Sequence, residues 1–213
     1  MRLIGLPGGD EPDPDVIYYL KTSKPHMLDV SISGPFYPLE EVFNQLHTRM
    51  EMEESTGGDM LDDLVFSGAF PNVEHFTAPL PDGNIMKFQL LRERNRDVVR
   101  ALPCKVWNIT IASPNLSVGD SGPGSPYPPV EDMQLRGTFL TSQAANIEAE
   151  RVLRELKAEE GRTAVVQKSY RDGLVEGFMM SGRGATARAK VVQVRYDDGQ
   201  IQQVDRSGNP LQA

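Results

Sequence analysis

The chain has 213 residues, 39% of them hydrophobic and 24% charged, with 30 Asp and Glu against 22 Lys and Arg. That length serves one large domain or two small ones with a sizeable core, and the composition is that of a folded chain rather than a disordered one. The net charge of −8 excludes a dedicated nucleic-acid binder, which needs a basic face to neutralise phosphates.

The N-terminal stretch MRLIGLPGGDEPDPD holds one Arg and a short apolar patch, then Pro, Gly and acid. It is too short and too acidic for a secretory signal, and residues 1–14 are expected to form a flexible acidic arm. DVIYYLKTS from Asp15 is rich in β-branched and aromatic residues and predicts a strand over roughly 16–22. A second strand over roughly 27–33 runs into SGPFYPLEEVFNQL, whose apolar spacing predicts a helix over roughly 38–53. Pro38, Glu40 and Glu41 suit its first turn, where a missing N–H is harmless and the helix dipole favours negative charge. GGDMLDDLVFSG suggests a short extra helix, VEHF a strand over roughly 72–78, and MKFQLLRERN a strand over roughly 86–94. The first unit is thus expected over residues 15–95, with 96–104 as a linker.

KVWNITIAS from Lys105 alternates Trp107, Ile109 and Ile111 with Asn108 and Thr110, the pattern of a strand over roughly 105–112. Residues 117–131 are full of Gly, Pro and Ser and are expected to be a surface insert. Within it Tyr127 lies between prolines, a composition suited to polyproline II and to docking. Strand, helix and three further strands follow at roughly 132–139, 142–159, 163–170, 174–181 and 188–196. Thr141 or Ser142 can cap this helix and Gly161 can end it. The second unit is expected over 105–204 and a polar tail over 205–213.

The two units share a sentence. Gly34 and Phe36 match Gly137 and Phe139, and 137 − 34 = 103. At the same offset Val42, Leu46 and Met50 fall on Ala145, Ala149 and Leu153, all along one helical face. VEHF at Val73 meets VEGF at Val175 with an offset of 175 − 73 = 102, and MKFQLLRERN meets AKVVQVRYDD at 103 again. Self-similarity at a nearly fixed offset is the mark of an internal duplication. The expected fold class is therefore α+β, built from duplicated β-β-α-β-β units whose antiparallel sheets each carry one main helix. A sheet with one helix buries only one face, so two such units would cover each other or pair edge to edge. The Gly of Gly-x-Phe would allow a tight corner and the Phe would pack beneath the helix.

LRGTFLTSQAANIEAERVLREL and the following RDGLVEGFMM resemble a pattern of small intracellular fungal proteins of unknown function. These have a Gly-Thr-aromatic step, an Ala-Asn pair in a helix and then a strand pair with a DG step. The resemblance covers the last half of the chain and implies α+β structure. It brings no activity and no catalytic residues.

Several chemistries are poorly supplied. GDSGPG around Ser121 is similar to the nucleophile segment of trypsin-like proteases, yet none of His26, His47 and His75 stands in that family's histidine context. GLPGGD and SGRGATARAK lack the strand, loop, Lys-Ser/Thr and helix of a phosphate cradle. Arg183, Arg188 and Lys190 in the latter remain candidate anion ligands. Three scattered histidines and the single Cys104 offer no metal site, and no cofactor is expected. A lone thiol makes no intramolecular disulfide, and no apolar run nears the ~20 residues of a membrane helix. The reading is a cytoplasmic protein with no membrane partner. His75 shares one strand face with Val73, matches Gly177 in the other copy, and is a candidate acid or base in an asymmetric pocket. Glu74, Tyr170 and Asp172 complete the candidate catalytic set. Trp107 is expected in the core. Two functions follow: a non-catalytic module binding a protein or small-molecule ligand, or a small-molecule enzyme with an acid–base site in a cleft between the halves.

Overall fold

Residues Val16–Lys24 form a strand, β1, with four consecutive buried residues from Ile17 to Leu20. A strand shows that pattern only when both of its faces are covered. The computed structural model describes residues 13–24, 29–55, 75–114, 131–161, 163–180, 186–197 and 200–203. After β1 come β2 (Asp29–Phe36), α1 (Leu39–Met52), β3 (His75–Pro79) and β4 (Ile85–Arg94). A short helix α2 (Arg96–Ala101) leads to β5 (Val106–Pro114), β6 (Glu131–Phe139), α3 (Ser142–Glu160), β7 (Val165–Arg171), β8 (Leu174–Met180), β9 (Thr186–Asp197) and β10 (Gln200–Gln203). Residues 1–12, the segment GGDMLDDLVFSG, residues 117–130 of the insert and the 205–213 tail lie outside the described residues.

The fold is α+β. One antiparallel sheet has the order β2-β1-β4-β3, and the other β6-β5-β9-β8-β7 with β10 paired to β9. Three clusters hold the layers together. Tyr18, Leu20, Phe36, Phe76, Met86 and Phe88 pack under Val42, Leu46 and Met50 of α1. Ile109, Ile111, Val175 and Ala189 pack under Ala145, Ala149, Val152 and Leu153 of α3. Between the sheets, Ile17, Tyr19 and Ile32 meet Val98 of α2 and Val106, with Met133 and Leu135 of β6 packed against them. The layers thus run helix, sheet, sheet, helix, and the sheet faces turned away from α1 and α3 meet over part of their area, with α2 packed at that seam. That seam explains the four-residue buried run of β1.

Local chemistry sets the element ends. Thr141 caps α3 by accepting from the Ala144 N–H at 3.2 Å, and Gly161 ends it at φ 89°. α1 begins after Pro38 without a side-chain cap, its first turn holding Glu40 and Glu41. The stretch expected as a linker, 96–104, contains α2 because Asn95 accepts from the Val98 N–H at 3.2 Å and buries Val98 in the seam. At both Gly-x-Phe steps the glycine has positive φ, 128° at Gly34 and 154° at Gly137. A Cβ on Gly34 would lie 2.6 Å from Tyr19 Cδ1, so the corner is closed to other residues.

Strand registers align the two sheets residue by residue. Tyr18 pairs with Phe36 as Trp107 pairs with Phe139, and Lys21 with Ile32 as Thr110 with Leu135, with a register irregularity between them in both sheets. Tyr18 also pairs with Arg92 and Trp107 with Gln193. Phe88 therefore corresponds to Ala189, an offset of 189 − 88 = 101 rather than the 103 expected. Phe76 pairs with Phe88 and Gly177 with Ala189, so Phe76, not His75, stands where Gly177 stands. The matching letters of VEHF and VEGF are one residue out of structural step, because Phe76 is buried and Phe178 is exposed.

Candidate functional site

The seam carries a buried polar chain. β1 contributes Tyr19, β4 Glu93, the α2 cap Asn95, β5 Asn108 and β6 Thr138. Tyr19 is fully buried, Thr138 and Asn108 nearly so. The Tyr19 hydroxyl reaches Thr138 Oγ1 and Glu93 Oε2. Thr138 Oγ1 lies 3.0 Å from Asn108 Oδ1, and Asn108 Nδ2 donates to the Gly34 carbonyl at 3.2 Å. Glu93 Oε1 accepts from Asn95 Nδ2 at 2.8 Å and from the Thr138 N–H at 3.2 Å, while Asn95 also donates to the Thr138 carbonyl at 2.9 Å. Among the described residues no buried side-chain N or O lacks a partner. Burial, then the nearby Glu93 carboxylate, pushes the Tyr19 hydroxyl well above its ordinary range. Such a phenol is a fixed hydrogen-bonding group and not a ready base.

Beside this chain the seam opens into a groove of about 520 Å³. Leu91 of β4 and Met133 and Leu135 of β6 supply apolar wall, since all three continue the seam cluster. Lys21 and Arg136 border the groove beside Glu93, whose carboxylate is engaged by Asn95 and Thr138, while Arg92 shares the face of its cross-strand partner Tyr18, opposite Leu91 and Glu93. Gln89 and Gln134 supply amides. The groove can therefore hold an anionic group against an apolar surface, by charge and hydrogen bonding.

The sequence-derived candidates sit elsewhere and do not converge. His75 is exposed on β3, the edge strand of the four-stranded sheet. Tyr170 and Asp172 lie at the far end of the six-stranded sheet, in β7 and in the turn after it. Glu74 and Arg183 lie outside the described residues. Tyr170 donates to Glu150 of α3 at 2.6 Å, and Lys168 reaches the same carboxylate at 2.8 Å. Those two hydrogen bonds hold the Glu150 carboxyl below its ordinary range. Arg188 lines a second, open depression of about 540 Å³ with Phe178 and Gln167, but its guanidinium is bound to Glu176. That bond lowers the Glu176 carboxyl. Lys190, opposite Glu176 in the β8–β9 pairing, is exposed. Trp107 is half-buried against the second core. Burial raises the Cys104 thiol, so it stays protonated at neutral pH.

Among the described residues no group of three His, Cys, Asp or Glu is placed to hold a metal, and no helix is long and apolar enough to cross a membrane. Compared with protein families, characterised proteins and solved structures, the chain matches none.

Proposed function

We propose that the protein is a non-catalytic binding module of the cytoplasm whose contact surface is the seam groove. The carrying observation is the division of labour at the seam. Its buried polar groups satisfy one another, while Lys21, Arg136 and an apolar wall border the opening beside them. A site of that kind positions and retains an anionic partner; it offers no acid–base pair to a substrate. The common strand order, the shared irregularity and the sparse sequence matches support reading the two units as copies of one ancestor.

Thermal unfolding with a panel of small aromatic carboxylates and organic phosphates tests the reading, comparing wild type with Arg136→Glu at low salt. A ligand present at ~100 times its Kd stabilises the folded state by about 2.7 kcal/mol. At least one panel member is expected to raise the wild-type midpoint and leave Arg136→Glu unmoved. Equal shifts in both proteins, or none in either, contradict a ligand site in the groove.

A further inference from the structure

We infer that the seam is a two-fold interface and that the partner it fits, besides the other half of its own chain, is a second copy of the chain. The first unit of each copy then packs on the second unit of the other, through the contacts that otherwise close within one chain. No ligand in the groove is involved.

The strand registers fix which positions correspond. Tyr18 pairs with Phe36 and Trp107 with Phe139, while Lys21 pairs with Ile32 and Thr110 with Leu135. Tyr19 is therefore the mate of Asn108, Ile17 of Val106, Ile32 of Leu135, and the Gly34-Pro35 step of the Gly137-Thr138 step. In a two-fold interface a contact made from one side is returned by its mate from the other. The seam does this. Tyr19 of the first unit bonds Thr138 of the second, and its mate Asn108 bonds the Gly34 carbonyl of the first. The apolar cluster holds mates together, Ile17 with Val106 and Ile32 with Leu135. The strands β2 and β6, which touch across the seam, are mates themselves. Where mates differ, they differ in step. The Thr138 N–H is met by Glu93. Its mate Pro35 has no N–H to be met, and the ladder position of Glu93 is held in the second sheet by Val194.

Chain continuity is not part of these contacts. The two polar bonds join residues 119 and 74 apart in sequence, and a single pass of chain between β4 and β5 connects the units. Two copies that trade units keep both seams, which makes the trade a low-cost route to a dimer. The short connection sets the balance. It holds the two units of one chain at an effective concentration on the order of mM. Closure within the chain therefore prevails in dilute solution, and the trade competes as the protein approaches that concentration.

The test refolds the full chain from denaturant at ~10 µM and at ~1 mM and weighs the products by native mass spectrometry after dilution. Wild type is expected to be monomeric from the dilute arm. From the concentrated arm it is expected to give a dimer that outlasts dilution, because both seams must open before the units return. Two full-length variants, Ile32→Lys and Leu135→Glu, show which surface is used. Folded alone, each buries a charge without a counter-ion. In a traded pair of unlike chains the lysine and the glutamate share one seam and the other seam is wild type. Refolded together at ~1 mM, the two are expected to give the unlike pair in about tenfold excess over either like pair. No wild-type dimer from the concentrated arm, a dimer that dissolves at once on dilution, or like pairs as abundant as unlike ones overturns the exchange. Should the variants fail to fold, the persistence of the wild-type dimer decides. The groove reading is untouched by either result.

Discussion

The two halves run the same strand order over different upholstery. In the first half the sheet carries the bulk. Phe36, Phe76 and Phe88 are buried, the Phe76 and Phe88 rings lie 6.1 Å apart, and α1 answers with Val42, Leu46 and Met50. In the second half the sheet is small where the first is large, with Gly177 and Ala189 in place of Phe76 and Phe88. There α3 answers with Ala145, Ala149 and the larger Leu153. A Cβ on Gly177 would lie 2.2 Å from Leu153 Cδ1, so the helix side chain occupies the space that the first half gives to a ring. Sheet and helix faces both carry smaller residues in the second half, and the interior stays filled because α3 lies close enough to its sheet for Leu153 to reach Gly177.

That contrast can be broken by substitution. The largest effect is expected at Phe88→Ala, about 3–5 kcal/mol by denaturant unfolding, because the ring is buried in the cluster beneath α1. A loss below about 1 kcal/mol would show that α1 collapses onto the sheet as α3 does. Next comes Gly177→Ala, expected to cost about 1–3 kcal/mol by overpacking against Leu153. In a Leu153→Ala background the same substitution should cost little, and a double-mutant cycle without coupling would remove Leu153 as the filler.

The seam joins the halves, and its polar chain gives a comparable but chemically distinct effect. Thr138→Val leaves the Tyr19 hydroxyl and Asn108 Oδ1 short of a partner and should cost about 1–3 kcal/mol. The smallest effect is pH-dependent. Tyr19 has a raised value in the folded state, so its contribution is intact below the ordinary tyrosine value of 10.0 and is lost as pH climbs beyond it. Stability measured above about pH 10 should fall with pH, and less steeply in Tyr19→Phe. An unchanged slope would mean that other groups set the alkaline limit.

Much of this plan is legible in the residues. The run VIYYL announces a strand covered on both faces, Thr141 and Gly161 mark the ends of α3, and RTAVVQKSY foretells the extra strand β7. Asn95 ahead of RDVVRA is a cap signal that reveals α2 inside what reads as a linker. The step between the halves was harder to read, because VEHF and VEGF share letters while burial alternation demands the neighbouring frame. The seam was not legible at all as a site. Asn108 sits on the polar side of an alternating strand and so reads as solvent-facing, yet the other sheet covers it. Its partners come from segments far apart in sequence, Tyr19 and Thr138 being 119 residues apart, and only packing brings them together. The same holds for the groove, whose cations Lys21 and Arg136 share no motif.

A groove built across two sheets exists only while both halves stay fastened along the seam. Native-state hydrogen exchange of the slowest amides in β1 and β5 addresses that directly. The account predicts one common free energy of opening for both strands, falling together in Thr138→Val. Protection in one strand exceeding the other by more than about 1.4 kcal/mol, a tenfold difference, would show halves that open independently and would contradict the fastened seam.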